Sequence, residues 1–223
     1  MKAVLLASAA ILASSSAFGA NLIAFSQVSN TNQVVATTNI VDTQTTLTVN
    51  DAAVSIGQFI AGAPPPIAFL DLNASSIDPA ATLGAAVIQH YSGSFCITTA
   101  GGCGGTNVLS GTFSDAAFGA LGGPGLVVNV NSPPDTLALT SSLIPASDLA
   151  SPSAFGLTFT NLTPALAIVG TTLAAFDATF AGDASASTPA VMEPSSLAVL
   201  GLGVVALGLV ARRRRGPHTV CQT

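Results

Sequence analysis

The chain has few of the residues on which several classes of protein depend. Its 223 residues include no tryptophan and one tyrosine, Tyr91. The five Lys and Arg residues are Lys2 and a C-terminal cluster, so residues 3–211 contain neither. Binding of nucleic acid requires a basic surface, and nucleic acid is therefore excluded as a partner. The scarcity of Trp and Tyr also weakens the case for sugar binding by aromatic stacking.

Acidic residues are not balanced by cations in the central part of the chain. The ten acidic residues are Glu193 and nine aspartates, all of which lie between residues 42 and 183. No ion pair of the Lys/Arg–Asp type can form there. Folding must then rest on apolar burial and backbone hydrogen bonds, and the negative charge should keep molecules apart in solution.

The N-terminus has the pattern of a secretory signal peptide. Lys2 precedes an apolar run from Ala3 to Ala13, and small residues follow as far as Gly19. Small side chains at positions −3 and −1, here Ala17 and Gly19, favour cleavage after Gly19. We therefore predict that residues 1–19 are removed and that the rest of the chain is exported.

The C-terminus has the pattern of a short membrane anchor. An uncharged run, residues 195–211, is followed by four cations, Arg212, Arg213, Arg214 and Arg215. As a helix this run would span roughly 25 Å, whereas a bilayer core is about 30 Å thick, and the arginines can extend the reach. Basic clusters stay on the cytoplasmic side. The pattern predicts a cytoplasmic tail at 216–223 and a body outside the cytoplasm.

A short motif precedes this apolar run. Met192, Glu193, Pro194 and Ser195, followed by the apolar helix and the arginines, resemble a PEP-CTERM sorting signal in which Met192 replaces the first Pro. The resemblance covers residues 191–215. It implies export in an exopolysaccharide-producing Gram-negative bacterium, transient membrane anchoring, and removal of the anchor by an exosortase, a membrane-embedded cysteine transpeptidase. The cell surface or the extracellular matrix would be the destination.

The body, residues 20–180, is predicted to be all-β. Apolar and polar residues alternate around Leu47, Leu137 and Phe155, and Gly/Pro-rich segments separate the runs, which is typical of half-buried strands. Many short strands indicate an antiparallel β-sandwich or jelly roll. A helical turn is expected over 144–149 and a flexible linker over 181–190. Further predicted strands are Leu22–Val28, Gln33–Val41, Ala53–Ile60, Ile67–Leu72, Ala85–Tyr91, Gly93–Thr98, Val108–Phe113, Leu126–Val130 and Thr172–Phe180.

Two of the three cysteines lie in the body. Cys96 and Cys103 have a spacing that suits a disulfide across a tight loop in an oxidising compartment. The alternatives are free thiols and a metal or redox pair. Cys221 falls in the predicted cytoplasmic tail and is expected to be reduced.

Candidates for catalysis are few, and we predict no catalytic residue and no cofactor. His90 is the only imidazole of the body, and no Gly-x-Ser-x-Gly motif accompanies it. Asp71-Leu72-Asn73 is a fragment of a calcium-ligand pattern, which leaves structural Ca²⁺ open. We expect a structural or adhesive role in exopolysaccharide. The alternatives are a polysaccharide hydrolase that uses paired aspartates and a Ca²⁺-dependent ligand-binding module.

Overall fold

A computed structural model describes residues 20–39, 43–83, 86–119, 124–129, 134–150 and 152–186. The predicted cleavage site at Ala17 and Gly19 lies outside these ranges. So do the sorting motif 192–195, the apolar segment 195–211, the arginines 212–215 and the tail. No helix among the described residues is both long and apolar enough to cross a membrane.

The described residues form an all-β structure, as the sequence predicts. Its only helical element is a short 3-10 turn, Ala146–Leu149, which begins after Pro145 inside the segment expected to hold a helical turn. The strands are β1 Ala20–Gln27, β2 Val34–Asn39, β3 Gln44–Phe59, β4 Ala68–Ser76, β5 Ala81–Leu83, β6 Ala86–Ala100, β7 Gly104–Phe118, β8 Gly125–Asn129, β9 Thr136–Thr140, β10 Ser153–Thr163, β11 Ile168–Val169, β12 Thr172–Leu173 and β13 Phe176–Ala186.

One large antiparallel sheet contains all strands except the β11–β12 hairpin. Its order is β5-β6-β4-β3-β1-β13-β10-β8-β7-β9, and β7 also pairs with β6. The path from β6 through β4, β3, β1, β13, β10, β8 and β7 therefore returns to β6. Because successive side chains of a strand point to opposite faces, every strand of this path can contribute to a common interior.

Strands β1 and β2 occupy successive parts of the same position in the sheet. Both pair with β3 on one side and β13 on the other: β1 with the second half of β3 and β2 with its first half. Residues 28–33 leave the sheet between them. The length of β3, 16 residues, is what allows it to pair with both.

Aromatic rings dominate the interior. Phe95 on β6 stacks on Phe155 on β10, with ring centroids 3.9 Å apart. Phe118 on β7 contacts the rings of Tyr91, Phe159 and Phe176. The contacts of Phe95 with Phe155 and of Phe118 with Phe159 and Phe176 join strands that are not neighbours in the sheet. The aliphatic core residues around them include Leu22, Ile23, Val34, Leu47, Leu70, Ile97, Leu109, Leu126, Leu157 and Leu173.

The predicted linker is wrong over its first part. β13 continues through Ala181 to Ala186 and pairs with both β1 and β10. A side chain at Gly182 would lie 2.6 Å from atoms of Phe25 and Leu157, so the small residues here permit close packing and do not indicate flexibility. The remainder of the predicted linker, residues 187–190, lies outside the described ranges.

Two strands are continuous where the sequence predicts separate ones, before Ala53 and before Gly93. β3 continues through Asn50 and Asp51, where a bulge shifts its register against β4 and Asp51 has a φ of 50°. β6 continues through Gly93, where a Cβ atom would lie 2.2 Å from the carbonyl oxygen of Asn73. Both irregularities are accommodated within continuous strands.

Candidate functional site

Each end of strand β6 is held by a contact other than apolar packing: a disulfide at one end and an Asp–His pair at the other. One end, which we call the disulfide end, contains Cys96 and the turn that leads to Cys103. The other, which we call the histidine end, contains residues 89–91 and the neighbouring segment 77–80. The two ends differ in chemistry, and each contains a residue singled out in the sequence.

The predicted disulfide is confirmed. Cys96 and Cys103 are joined, with their Cα atoms 5.7 Å apart. The turn between β6 and β7 requires left-handed backbone at Gly102 and Cys103, with φ of 63° and 56°. Glycine tolerates this conformation without steric cost, which accounts for Gly102, whereas at Gly101 a Cβ atom would clash with the carboxylate of Asp51. The bond closes the tip of the longest hairpin contact in the sheet, β6 with β7.

Two aspartates support the disulfide end. The carboxylate of Asp51 accepts a hydrogen bond from the backbone nitrogen of Gly102. Asp71 Oδ1 accepts one from the backbone nitrogen of Asp51, at 3.1 Å. The Asp71 carboxylate and the two sulfur atoms lie within 4.8 Å of one another. A cysteine sulfur binds metal as a thiolate, and disulfide sulfurs carry no such charge, so the two sulfurs of this group are not metal ligands while the disulfide is intact.

A shallow groove lies beside the disulfide. Polar side chains that line it include Asn50, Asp71, Asn73 and Ser94. Asp71 and Asn73 lie on the outer face of β4, whereas Leu72 between them is buried. These oxygen atoms are of the type that Ca²⁺ prefers. Binding of Ca²⁺ by the Asp71-Leu72-Asn73 segment stays a prediction.

The histidine end contains an Asp–His pair. Asp78 Oδ2 lies 2.5 Å from His90 Nδ1, and Asp78 Oδ1 accepts a hydrogen bond of 2.8 Å from the backbone nitrogen of His90. The carbonyl oxygen of His90 in turn accepts one from the backbone nitrogen of Ile77, at 2.9 Å. The antiparallel register of β4 and β6, which opposes Ser76 to Tyr91, brings these segments together.

Negative charge surrounds His90. The Asp78 carboxylate raises the pKa of His90, chiefly through its hydrogen bond, against a lowering by partial burial, and the charges of Asp115 and Asp135 raise this pKa further. Both side chains of the pair remain partly exposed, His90 by 36% and Asp78 by 38%. Solvent therefore weakens the ion pair, but it does not separate the two groups.

A buried polar network lies directly beneath this pair. Gln89 Nε2 donates hydrogen bonds to the carbonyl oxygen of Asp78 (2.9 Å) and to Thr172 Oγ1 (3.2 Å). Gln89 Oε1 accepts from the hydroxyl of Tyr91 (3.1 Å) and from the backbone nitrogen of Leu173 (3.3 Å). The amide of Gln89 is thus fully hydrogen-bonded. It links segment 77–80 through β6 to the β11–β12 hairpin.

Tyr91 completes this network from the interior. Its side chain is buried, and burial raises the pKa of the phenol. The hydroxyl therefore stays protonated near neutral pH and donates to Gln89. Thr45, on β3, also belongs to the network: its hydroxyl lies 2.5 Å from that of Thr172 and 2.9 Å from the carbonyl oxygen of Leu173.

Asp78 and His90 resemble two members of a catalytic triad, but the third is missing from the described residues. A serine nucleophile must hydrogen-bond the imidazole that activates it. No serine hydroxyl in the described part of the chain does so; the ring of His90 is bonded to Asp78. The sequence singles out His90 as the body's only imidazole, but its partner is found only in the fold, because twelve residues and a strand separate them.

Comparison of the chain with protein-family models, with curated proteins and with solved structures finds no match.

Proposed function

We propose that this is an exported protein whose β-sandwich body has a structural or adhesive role at the cell surface or in the extracellular polysaccharide matrix of a Gram-negative bacterium. An exosortase-like enzyme would first remove its membrane anchor. The observation that carries the proposal is the disulfide between Cys96 and Cys103. Disulfides persist in oxidising compartments and are rare in the cytosol of mesophiles.

The composition of the body supports the same location. With nine aspartates and no Lys or Arg between residues 3 and 211, the body repels its own copies and stays soluble at high local concentration. The closed path of antiparallel strands around an aromatic interior is consistent with a sandwich. A rigid body of this kind suits a role that depends on persistence outside the cell.

The C-terminal segment, residues 192–215, supports the proposed route of export. The motif from Met192 to Ser195, the apolar segment and the arginine cluster follow the order of a PEP-CTERM signal. A segment rich in glycine and slightly short for a bilayer suits an anchor that is later removed.

Processing can be tested by intact-mass measurement of the protein released from cells that make an exosortase. We expect a chain that starts at Ala20, ends near the Met192–Ser195 motif, and lacks the two thiol hydrogens of Cys96 and Cys103. A variant with Glu193→Ala and Pro194→Ala should remain membrane-bound and unshortened, with its disulfide intact. A cytosolic protein with both termini uncut and both thiols free would contradict the proposal.

The role of the body can be tested on the released protein. We expect it to sediment with exopolysaccharide and to leave a panel of glycans uncleaved. Turnover that an Asp→Asn substitution abolishes would favour the hydrolase alternative instead. A rise in thermal stability with Ca²⁺ over chelator, lost in Asp71→Asn and kept in Asp177→Asn, would favour the Ca²⁺-dependent binding module.

A further inference from the structure

His90 has an unusual position in the charge balance of this protein. Between residues 3 and 211 there is no Lys or Arg, and His90 is the only histidine in that range. It is thus the only side chain there that can acquire a positive charge. A proton on His90 therefore changes the electrostatics of the body in a way that no other side chain of this range can reproduce.

The groups that face His90 are all of one sign. Asp78 contacts the ring from the segment between β4 and β5, Asp115 approaches from the neighbouring strand β7, and Asp135 precedes β9. Asp115 lies in a bulge of β7 with a φ of 62°, so β7 turns out of its regular register beside His90. All three carboxylates favour the protonated, positively charged form of His90, and this attraction is lost when His90 is neutral.

The contact with Asp78 also connects several segments mechanically. Segment 77–80 is attached to β6 by the two hydrogen bonds of the Asp78 carboxylate and by the Ile77–His90 backbone bond. The backbone nitrogen of Ala80 donates to the carbonyl oxygen of Thr171, at 2.7 Å, in the turn of the β11–β12 hairpin. Gln89 bonds Asp78 on one side and Thr172 and Leu173 on the other.

We propose that the Asp78–His90 pair is a pH-sensitive contact that holds segment 77–80 and the β11–β12 hairpin against β6 in acidic surroundings and loosens them as the medium becomes alkaline. The inference does not depend on the proposed route of export.

The sign of the effect follows from the charge of the pair. A histidine whose proton is held more tightly in the folded state stabilises that state below its unfolded-state pKa, and this stabilisation is lost as pH rises through the folded-state pKa. Asp183, whose pKa burial also raises, contributes a loss in the same direction at lower pH. Tyr91 titrates only at strongly alkaline pH. Asp183 and Tyr91 contribute equally in wild type and in a His90 variant, so their contributions cancel in the difference between the two proteins.

The test uses the full-length protein in neutral detergent, unfolded by denaturant between pH 5 and pH 9. Wild type should lose stability across this range, and His90→Gln should lose much less. Asp78→Asn should reduce the loss. Asp177→Asn, which removes a carboxylate outside the group around His90, should leave the loss unchanged. Equal pH dependence in wild type and His90→Gln would overturn the proposal.

Two measurements on wild type keep the test decisive if a variant does not fold. In a proton NMR titration, the resonance of His90 should titrate above the ordinary histidine pKa of 6.5. Hydrogen-exchange protection factors of the His90 and Leu173 amides should be lower at pH 9 than at pH 6. Titration of His90 at or below the ordinary value, or protection that does not change with pH, would overturn the proposal.

Discussion

The two ends of β6 are held by bonds of different kinds. At the disulfide end, Cys96 and Cys103 form a covalent bond beside a turn that Asp51 supports through Gly102. At the histidine end, Asp78 and His90 form a partly exposed ion pair above a buried network. A change of pH in the range where histidine titrates does not break the disulfide. A reductant does not break the ion pair.

The difference shows how a body without Lys or Arg can still be specified by polar contacts. The protein uses carboxylates as acceptors for backbone N–H groups, as at Gly102 and His90. Such bonds to a charged acceptor are stronger than neutral ones. We therefore expect the Asp78–His90 ion pair to be one of the places where the stability of this protein depends on pH.

The largest expected effect concerns the middle of β6, between the two ends. Phe95 is buried and stacks on Phe155, so Phe95→Ala should lower the free energy of unfolding by about 3–5 kcal/mol. Denaturant unfolding measures this loss, with Phe95→Leu as the conservative control, which should lose far less. A loss smaller than that caused by removal of the disulfide would mean that the ends, and not the core, determine the stability of β6.

Removal of the disulfide should come next. Replacement of both Cys96 and Cys103 by Ala opens a short loop, for which the chain-entropy model gives about 2–3 kcal/mol. The loss should be the same at pH 5 and pH 8, in contrast to substitutions at the histidine end. Cys221→Ala serves as the control and should leave stability unchanged. A loss that varied with pH would show that the two ends are coupled along β6.

A smaller effect should test the network beneath the histidine end. Tyr91→Phe removes the hydroxyl that donates to Gln89 Oε1, which still accepts from Leu173. We expect a loss of about 1 kcal/mol, typical of a single hydrogen bond whose acceptor keeps another donor. Denaturant unfolding measures it, and Ser92→Ala is a neighbouring control. An unchanged stability would mean that the hydrogen bond from Tyr91 to Gln89 adds nothing to the stability of the fold.

Much of the strand pattern follows from the sequence, because alternation reports burial directly. Phe155, Leu157 and Phe159 are buried, as their spacing predicts. Alternation fails where the backbone itself departs from regularity. Asn50 and Asp51 continue β3 through a bulge, and Gly182 lies within β13 at a point where the neighbouring Phe25 and Leu157 leave no room for a side chain.

The candidate site is only half predictable for a different reason. The Cys96–Cys103 pair is local, and a seven-residue separation limits its partners. The Asp78–His90 pair depends on the register of β4 against β6 and on the closure of the sheet through β6 and β7. Register is set by pairing between distant segments, and no spacing in the sequence selects Asp78 from the nine aspartates as the partner of His90.

The smallest effect should come from a carboxylate that belongs to neither end of β6. Asp183 on β13 lies opposite Ala24 and Gly156, and partial burial raises its pKa. A raised pKa means that ionisation near neutral pH costs stability, so Asp183→Asn should stabilise the protein at pH 7. Because Asp183 remains exposed overall, solvent screens the cost and the gain should be about 0.5 kcal/mol. Asp177→Asn, on the same strand, is the matched control.

The gain in stability from Asp183→Asn should vanish at acidic pH, where Asp183 is protonated in both the folded and the unfolded state. A gain that persisted there would place its origin in packing and would leave Asp78–His90 as the site where protonation controls stability.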